Sequence, residues 1–133
     1  MNYVKMYSTA LILFLLIDAL WLTVIAKNMY KQYLGYLMGD VVWWAVILFY
    51  VLFIFGLQYF CIIPAIKAQS AIQALFAGAL FGLVSYATYD LTNQATIKGW
   101  PVLITGIDLL WGAIIGASVC ALTVKIAFLL KWH

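Results

Sequence analysis

Residues 6–26, MYSTALILFLLIDALWLTVIA, form an apolar run with a single charged side chain, Asp18. A helix of about 20 such residues crosses the hydrocarbon core of a bilayer. The centre of this run occurs twice, because residues 17–21 read IDALW and residues 107–111 read IDLLW. A carboxylate in hydrocarbon costs roughly 2.5–3.5 kcal/mol on insertion scales. The repeated I-D-x-L-W string therefore singles out Asp18 and Asp108 as positions that need an explanation.

The composition is that of an integral membrane protein. Of the 133 residues, 68% are hydrophobic and 8% are charged, whereas a soluble domain is about half apolar and a quarter charged. The first apolar run is too long for the core of a signal peptide and no A-x-A site follows it, so we interpret it as a retained span. We predict an all-α protein, a bundle of four transmembrane helices in one domain. The predicted spans are residues 6–26, 42–64, 71–92 and 101–124.

The connection between the first two spans predicts a short amphipathic helix within residues 28–38. Tyr30, Tyr33, Leu34 and Leu37 recur at helical spacing, while the lysines fall elsewhere. Such a helix lies in the membrane interface with its apolar face toward the lipid. An anchor in the interface is the favoured interpretation, and a lid over the aspartates is the alternative.

The charged residues predict an orientation but no nucleic acid partner. The chain has seven lysines and four aspartates, and the lysines occur singly at span ends rather than as a basic patch. This placement is typical of topogenic charge and headgroup contact. With four spans the two termini share one side of the membrane. That side carries Lys5, Lys67, Lys125 and Lys131, against Lys27, Lys31 and Lys98 on the other, which predicts cytoplasmic termini.

The small residues predict how two of the spans pack. Gly78 and Gly82 form a GxxxG pattern in span three, and Gly112 and Gly116 form another in span four. Such patterns let helix backbones approach closely, so we expect these two spans to pack against each other, with homodimer contact as the alternative. Span two is bulky and apolar on every side, which predicts that it faces lipid more than the other spans. Pro64 is expected to end it.

Polar side chains converge in the half of the membrane away from the termini. Asp18 and Asp108 fall at one depth on antiparallel spans, so we expect them to be neighbours, and Asp90 is expected nearer the outer mouth. Intramembrane ionisable groups usually mark functional sites. The candidate residues for ligand binding or a proton relay are Asp18, Asp108, Asp90, Tyr86, Tyr89, Asn93, Trp21 and Trp111.

No motif for a cofactor or a metal accompanies these residues. The single histidine excludes a histidine cluster for haem, di-iron or zinc, and no phosphate-cradling glycine loop or nucleophile elbow occurs. The two cysteines, Cys61 and Cys120, are interpreted as small packing residues. We therefore predict no cofactor and no metal.

Three functions remain open. The protein binds or transports a small solute or cation, with proton coupling as one form of that activity. Alternatively, it is a membrane enzyme or accessory factor in lipid modification, with the aspartates as acid, base or metal ligands. In the third interpretation it is an assembly subunit without a ligand, whose aspartates accept hydrogen bonds from tryptophan or tyrosine on neighbouring helices.

Several strings resemble one bacterial membrane family, domain of unknown function 2177. They are LIDALWL, GALFGLVSYATYDLTNQATIKGWP and IDLLWG, and residues 89–101 are the most specific part. The resemblance implies a four-span protein of the bacterial inner membrane and supplies no activity. The positions that match the family pattern are Asp18, Trp21, Asp90, Asn93, Trp100, Pro101, Asp108 and Trp111.

Overall fold

The computed structural model describes all residues from Met1 to His133, and they form an all-helical bundle without strands. Four helical stretches are long and apolar enough to cross a membrane, which confirms the predicted fold class. The helices are α1 (Tyr3–Leu20, continued by a π-helical turn at Trp21–Ile25), α2 (Lys27–Leu34), α3 (Trp43–Leu57, continued by a π-helical turn at Gln58–Ile62), α4 (Ile63–Lys67), α5 (Ala71–Thr96) and α6 (Val102–Leu129).

Helix α1 presents one narrow stripe to the interior. Its start is capped by Asn2, whose side-chain oxygen accepts a hydrogen bond from the Lys5 backbone N–H at 3.1 Å, which satisfies one of the free donors of the first turn. Its buried residues are spaced four apart: Met6, Ala10, Phe14 and Asp18. Because residues four apart lie on one face of a helix, the packing of the apolar members also turns Asp18 inward.

The second span departs from two expectations. Pro64 does not end it, because the chain stays helical through α4 to Lys67. A proline lacks the N–H and crowds the carbonyl of the preceding turn, and the π-helical turn just before it provides the wider local geometry that accommodates this. The span is also not the most exposed: 28% of its most apolar stretch is buried, against 17% for the first and third spans.

Helices α5 and α6 form the closely packed pair that the glycines predict. A Cβ added to Gly82 would collide with the carbonyl oxygen of Gly112, and one added to Gly78 would collide with that of Gly116. Both helices extend one turn or more past the predicted ends, to Thr96 and Leu129. In the polar end of α5, threonine hydroxyls are satisfied within the helix, since Thr96 donates to the Thr92 carbonyl one turn back at 2.8 Å.

The bundle is divided into two halves. We call the end that carries both termini the terminal end, and the opposite end, with α2 and the α5–α6 connection, the loop end. The termini are tied together by a backbone hydrogen bond of 2.8 Å from Asn2 N–H to the Trp132 carbonyl. The buried apolar core occupies the terminal half and includes Met6, Phe14, Leu57, Ile62, Val119 and Val124. The loop half holds the buried aspartates.

The connection between α5 and α6 is held by side chains. The Trp100 indole N–H donates to the Thr105 hydroxyl at 3.2 Å, and that hydroxyl donates to the Gln94 side-chain oxygen at 2.9 Å. Gln94 returns a hydrogen bond of 2.9 Å to the Trp100 carbonyl. Gly99 turns the chain with φ of 78°, a left-handed conformation that glycine adopts without strain. These bonds fix how α6 starts beside the end of α5.

Candidate functional site

A cavity of about 500 Å³ lies at the loop end of the bundle and draws its walls from α1, α2, α3, α5 and α6. Its volume falls in the range of sites for small organic ligands. All three intramembrane aspartates line it, together with aromatic and aliphatic side chains and one serine. The lining residues are Asp18, Trp21, Leu22, Tyr30, Leu34, Met38, Phe49, Tyr50, Ser85, Tyr86, Tyr89, Asp90, Asp108 and Trp111.

Asp18 is held by hydrogen bonds from two other spans. The Trp111 indole N–H on α6 donates to its Oδ1 at 3.3 Å, and the Tyr50 hydroxyl on α3 donates to its Oδ2 at 3.1 Å. Only 8% of the residue is exposed. A buried carboxyl with a donor on each oxygen is a satisfied group, so Asp18 joins three of the four spans at one point.

Asp108 is covered by the short helix α2. The Tyr30 hydroxyl donates a hydrogen bond to Asp108 Oδ1, and it accepts one of 3.3 Å from the Trp21 indole N–H. Burial, followed by the hydrogen bond to Asp108, raises the pKa of Tyr30 above its usual 10.0. The phenol therefore stays neutral and keeps its proton for this contact.

The two copies of the I-D-x-L-W string meet in a crossed arrangement. The rings of Trp21 and Trp111 are stacked, with centroids 4.4 Å apart and planes inclined by 8°. Helices α1 and α6 run antiparallel, so the tryptophan of each copy lies at the level of the aspartate of the other. Trp111 donates directly to Asp18, and Trp21 reaches Asp108 through the Tyr30 hydroxyl. The expectation that the first and fourth spans are neighbours is confirmed.

Asp90 differs from the other two aspartates because it has no donor. Its exposure is 0%, and neither carboxyl oxygen has a hydrogen-bond partner. The Asp108 carboxyl lies within hydrogen-bonding reach of Asp90, but it supplies no proton when both groups are ionised. A buried acceptor without a partner costs about 1–3 kcal/mol, and more when it is charged.

The position of Asp90 corrects the predicted depth. It was expected nearer the outer mouth than Asp108, on the assumption that span three ends near Thr92. Helix α5 instead runs to Thr96, six residues beyond Asp90, and Asp108 lies six residues after the start of α6. At 1.5 Å per residue both carboxyls are about 9 Å from the helix ends. Asp90 and Asp108 are thus a pair at one level.

The remaining predicted residues divide between the cavity and its surroundings. Tyr86 and Tyr89 line the cavity with Trp21 and Trp111, whereas Asn93 does not. Tyr89 is 60% exposed, and its ring meets that of Trp100 edge-on at 5.9 Å. It therefore forms part of the rim, and Tyr86 part of the wall.

Two tyrosines with direct bonds to the aspartates were missed. Tyr30 belongs to the apolar face of the amphipathic helix, and the lid alternative pointed to it without singling it out. Nothing in the sequence distinguishes Tyr50 as a site residue, because it is one bulky residue within an apolar run that predicts lipid contact. Only the packing of α3 against α1 brings its hydroxyl to Asp18.

Helix α2 closes part of the loop end, as the lid alternative expected. Besides the bond from Tyr30, Leu34 of α2 and Met38 just after this helix line the cavity. In the same segment the Tyr36 hydroxyl donates to the Gly99 carbonyl, in the α5–α6 connection, at 3.0 Å. No residue of α2 is buried. The lid is therefore attached by a few tyrosine contacts rather than by an apolar core of its own.

The lining brings acidic and aromatic side chains together. No three His, Cys, Asp or Glu side chains form a cluster that could hold a metal ion, and Mg²⁺ and Ca²⁺ take six or more oxygen ligands. The cavity instead has two facing carboxyls, no cationic side chain in its lining, and aromatic rings around them.

Comparison with known proteins assigns the chain to a family but indicates no reaction or substrate. No curated protein and no solved structure matches it. The sequence model of one family matches residues 3–125, which span all of α1 to α5 and most of α6. The description of that family is a predicted membrane protein, in agreement with the four apolar helices. The chain belongs to the DUF2177 family of predicted membrane proteins.

Proposed function

We propose that this protein binds a small cationic solute in the cavity at the loop end and moves it across the membrane in exchange for a proton. The observation that carries the proposal is Asp90, a fully buried carboxyl with no donor on either oxygen, beside Asp108. Two ionised carboxyls in such a place repel each other strongly because the local dielectric constant is low. A proton or a cation between them removes that repulsion.

The cation and the proton compete for the same position between Asp90 and Asp108, and this competition couples their movements. When a cation lies between Asp90 and Asp108, the proton that the pair holds in its absence is released, and the reverse step restores it. No lysine lines the cavity to replace either ion. Asp18 does not take part in this exchange, because Trp111 and Tyr50 already satisfy both of its oxygens.

We further propose that the membrane is the bacterial inner membrane, with both termini in the cytoplasm and the cavity in the outer half. Lysine placement supports this orientation through the positive-inside tendency. Single cysteines at Lys67 and Lys98, at opposite ends of the bundle, test it. Labelling from outside the cell is expected at position 98 and not at 67, and the opposite pattern would invert the orientation. The whole cavity is contained in one chain, so we propose that a homodimer is not needed for binding.

Thermal unfolding of the purified protein tests ligand binding. The probes are Na⁺, K⁺, ammonium, tetramethylammonium and a series of aromatic amines. A ligand that binds only the folded state raises the melting temperature. At a ligand concentration of a hundred times Kd, the folded state is stabilised by about 2.7 kcal/mol. We expect at least one cation to do so in the wild type and not in Asp90→Asn. If no cation has an effect, or if both proteins respond equally, the proposal is wrong.

Lipid modification is the second candidate function, and the exposed rim of the cavity favours it. Leu22 and Phe49 line the cavity and are each 43% exposed on the outside of the bundle, so a lipid chain could reach the carboxyls sideways. In this case Asp90 and Asp108 act as acid and base. A changed lipid profile in a deletion strain, restored by the wild type and not by Asp90→Asn, would favour this function over transport.

A further inference from the structure

The lining of the cavity restricts what kind of cation fits. Seven of its fourteen residues are aromatic, and ten are hydrophobic. A hydrated inorganic ion would lose its water in such a place without finding enough oxygen atoms to replace it. An organic cation loses less on dehydration, and aromatic faces attract it by about 2 kcal/mol where water is excluded.

The stacked pair of tryptophans provides aromatic surface next to the acidic pair. Trp21 and Trp111 are nearly parallel, and both line the cavity. The Tyr30 hydroxyl connects this surface to Asp108, because it accepts from Trp21 and donates to the carboxyl. An aromatic body on the rings and a positive nitrogen at the carboxyls would therefore lie side by side.

In this structure the carboxyls of Asp90 and Asp108 are not accessible to a ligand. Asp90 has no exposed surface and Asp108 is 7% exposed, while Tyr30 occupies the position in front of Asp108. The lid helix that carries Tyr30 has no buried residue, so few contacts oppose its displacement. A ligand reaches the pair when Tyr30 moves away from Asp108.

The route to the cavity is lined by exposed apolar side chains. Leu22, Phe49 and Tyr89 belong to both the cavity and the outer face of the bundle. In a membrane that face meets lipid and headgroups, so a compound that dissolves in the bilayer has direct access.

We infer that the ligand is an amphiphilic organic cation with a flat aromatic body, whose nitrogen takes the place of the Tyr30 hydroxyl and lies between Asp90 and Asp108. The body lies against the side of the stacked Trp21–Trp111 pair that lines the cavity, and the molecule arrives from the lipid past Leu22 and Phe49. This inference rests on the proposed function and names its substrate class.

Calorimetric titration of the protein in nanodiscs of phosphatidylcholine tests it, with empty nanodiscs subtracted. The probes are 2-naphthylmethylammonium, the neutral 2-naphthylmethanol and methylammonium. We expect the naphthyl cation to bind at least tenfold more tightly than either of the other two. Asp90→Asn should weaken its binding at least tenfold. The matched control is Asp40→Asn, which changes the fourth aspartate, outside the cavity, and should leave binding unchanged.

The outcomes separate the two proposals. If methylammonium binds as tightly as the naphthyl cation, the aromatic body does not matter and the inference is wrong, while cation binding stands. If the neutral alcohol binds as tightly as the naphthyl cation and Asp90→Asn does not weaken its binding, charge plays no role, and both the inference and the proposed function are wrong. If none of the probes binds and the thermal screen of cations is also negative, both are wrong. The comparison of probes in the wild type holds even if Asp90→Asn does not fold.

Discussion

Trp111 donates its indole N–H to Asp18, ninety-three positions earlier in the chain, while its ring is stacked on Trp21. One side chain thus links the two copies of the I-D-x-L-W string both by a hydrogen bond and by ring contact. Because the helices are antiparallel, the repeat in the sequence becomes an approximate twofold arrangement in space. Its two halves are unequal, since Asp18 is bonded directly and Asp108 through Tyr30.

The first prediction concerns this bond. Trp111→Phe keeps an aromatic ring against Trp21 but removes the donor to Asp18 Oδ1, which leaves a buried acceptor without a partner. We expect a loss of about 1–3 kcal/mol in stability, measured as a lower melting temperature in detergent. Trp44→Phe is the control, because Trp44 is 72% exposed and should change little. Equal melting of Trp111→Phe and wild type would mean that the bond contributes nothing.

The second prediction concerns the contact between α5 and α6. In Gly82→Ala the new methyl group meets the Gly112 carbonyl, so the helices must separate, at a cost of about 1–3 kcal/mol. Gly106→Ala on α6 is a matched control, because nothing lies within 4 Å of the added carbon. It should be neutral or stabilise the helix by about 0.4–1 kcal/mol. Similar unfolding curves for the two variants would show that α5 and α6 are not held by this contact.

The glycine contact and the four spans could be predicted from the sequence because both depend on local pattern. Apolar length specifies a span, and four-residue spacing places Gly78 and Gly82 on one face of α5 whatever surrounds it. The depth of Asp90 could not be obtained in this way, since it depends on where α5 ends. The polar string at Thr92 and Asn93 was interpreted as the end of the span, although a helix continues readily when polar residues reach the headgroup region.

The partners of the aspartates depend on tertiary packing, and so only their types were predicted. Bonds from tryptophan or tyrosine were one of the expected alternatives for a buried aspartate, and the structure shows them for Asp18 and Asp108. That Tyr50 is one of the donors requires knowing which face of α3 meets α1, and a uniformly apolar helix carries no such signal.

The third prediction concerns the lid. Tyr30→Phe removes the donor to Asp108 and should loosen α2, so its backbone amides exchange with deuterium faster while those of α5 and α6 keep their protection. Tyr33→Phe, on the same helix and outside the cavity lining, is the control. If α2 exchanges at the wild-type rate in Tyr30→Phe, the helix is held by its contact with lipid rather than by this tyrosine.

The same bond has a predictable pH dependence. The pKa of Tyr30 is raised by burial and by Asp108 above the value of 10.0 that it has in the unfolded chain. A group with a raised pKa in the folded state stabilises that state fully below its unfolded pKa, and the stabilisation is lost as the pH rises through the folded value. The difference in stability between wild type and Tyr30→Phe should be constant from neutral pH to about 10 and decrease above it. A difference that already disappears near neutral pH would contradict this assignment.

The last prediction separates an aspartate that holds the bundle together from one that is kept for a ligand. Asp18 accepts a bond on each oxygen. In Asp18→Asn the amide oxygen still accepts from Trp111, but the Tyr50 hydroxyl must turn to accept from the new NH₂ group, and both bonds lose the carboxylate as acceptor, so we expect a loss of about 1 kcal/mol in stability. Asp90 has no donor to lose. In Asp90→Asn the amide donates to the Asp108 carboxyl and takes the place of the proton that the pair shares, so at an alkaline pH at which the wild type loses that proton the variant should have the higher melting temperature without ligand.

The two variants should therefore move in opposite directions when both are measured at that pH, in one detergent and without added cations. Residues that destabilise the protein in which they lie are typical of functional sites, because stability there is exchanged for activity. Asp90→Asn should be the more stable protein and the one that no longer responds to the naphthyl cation. If both substitutions lower the melting temperature to the same extent, Asp90 is a structural group like Asp18, and the cation site loses its main support.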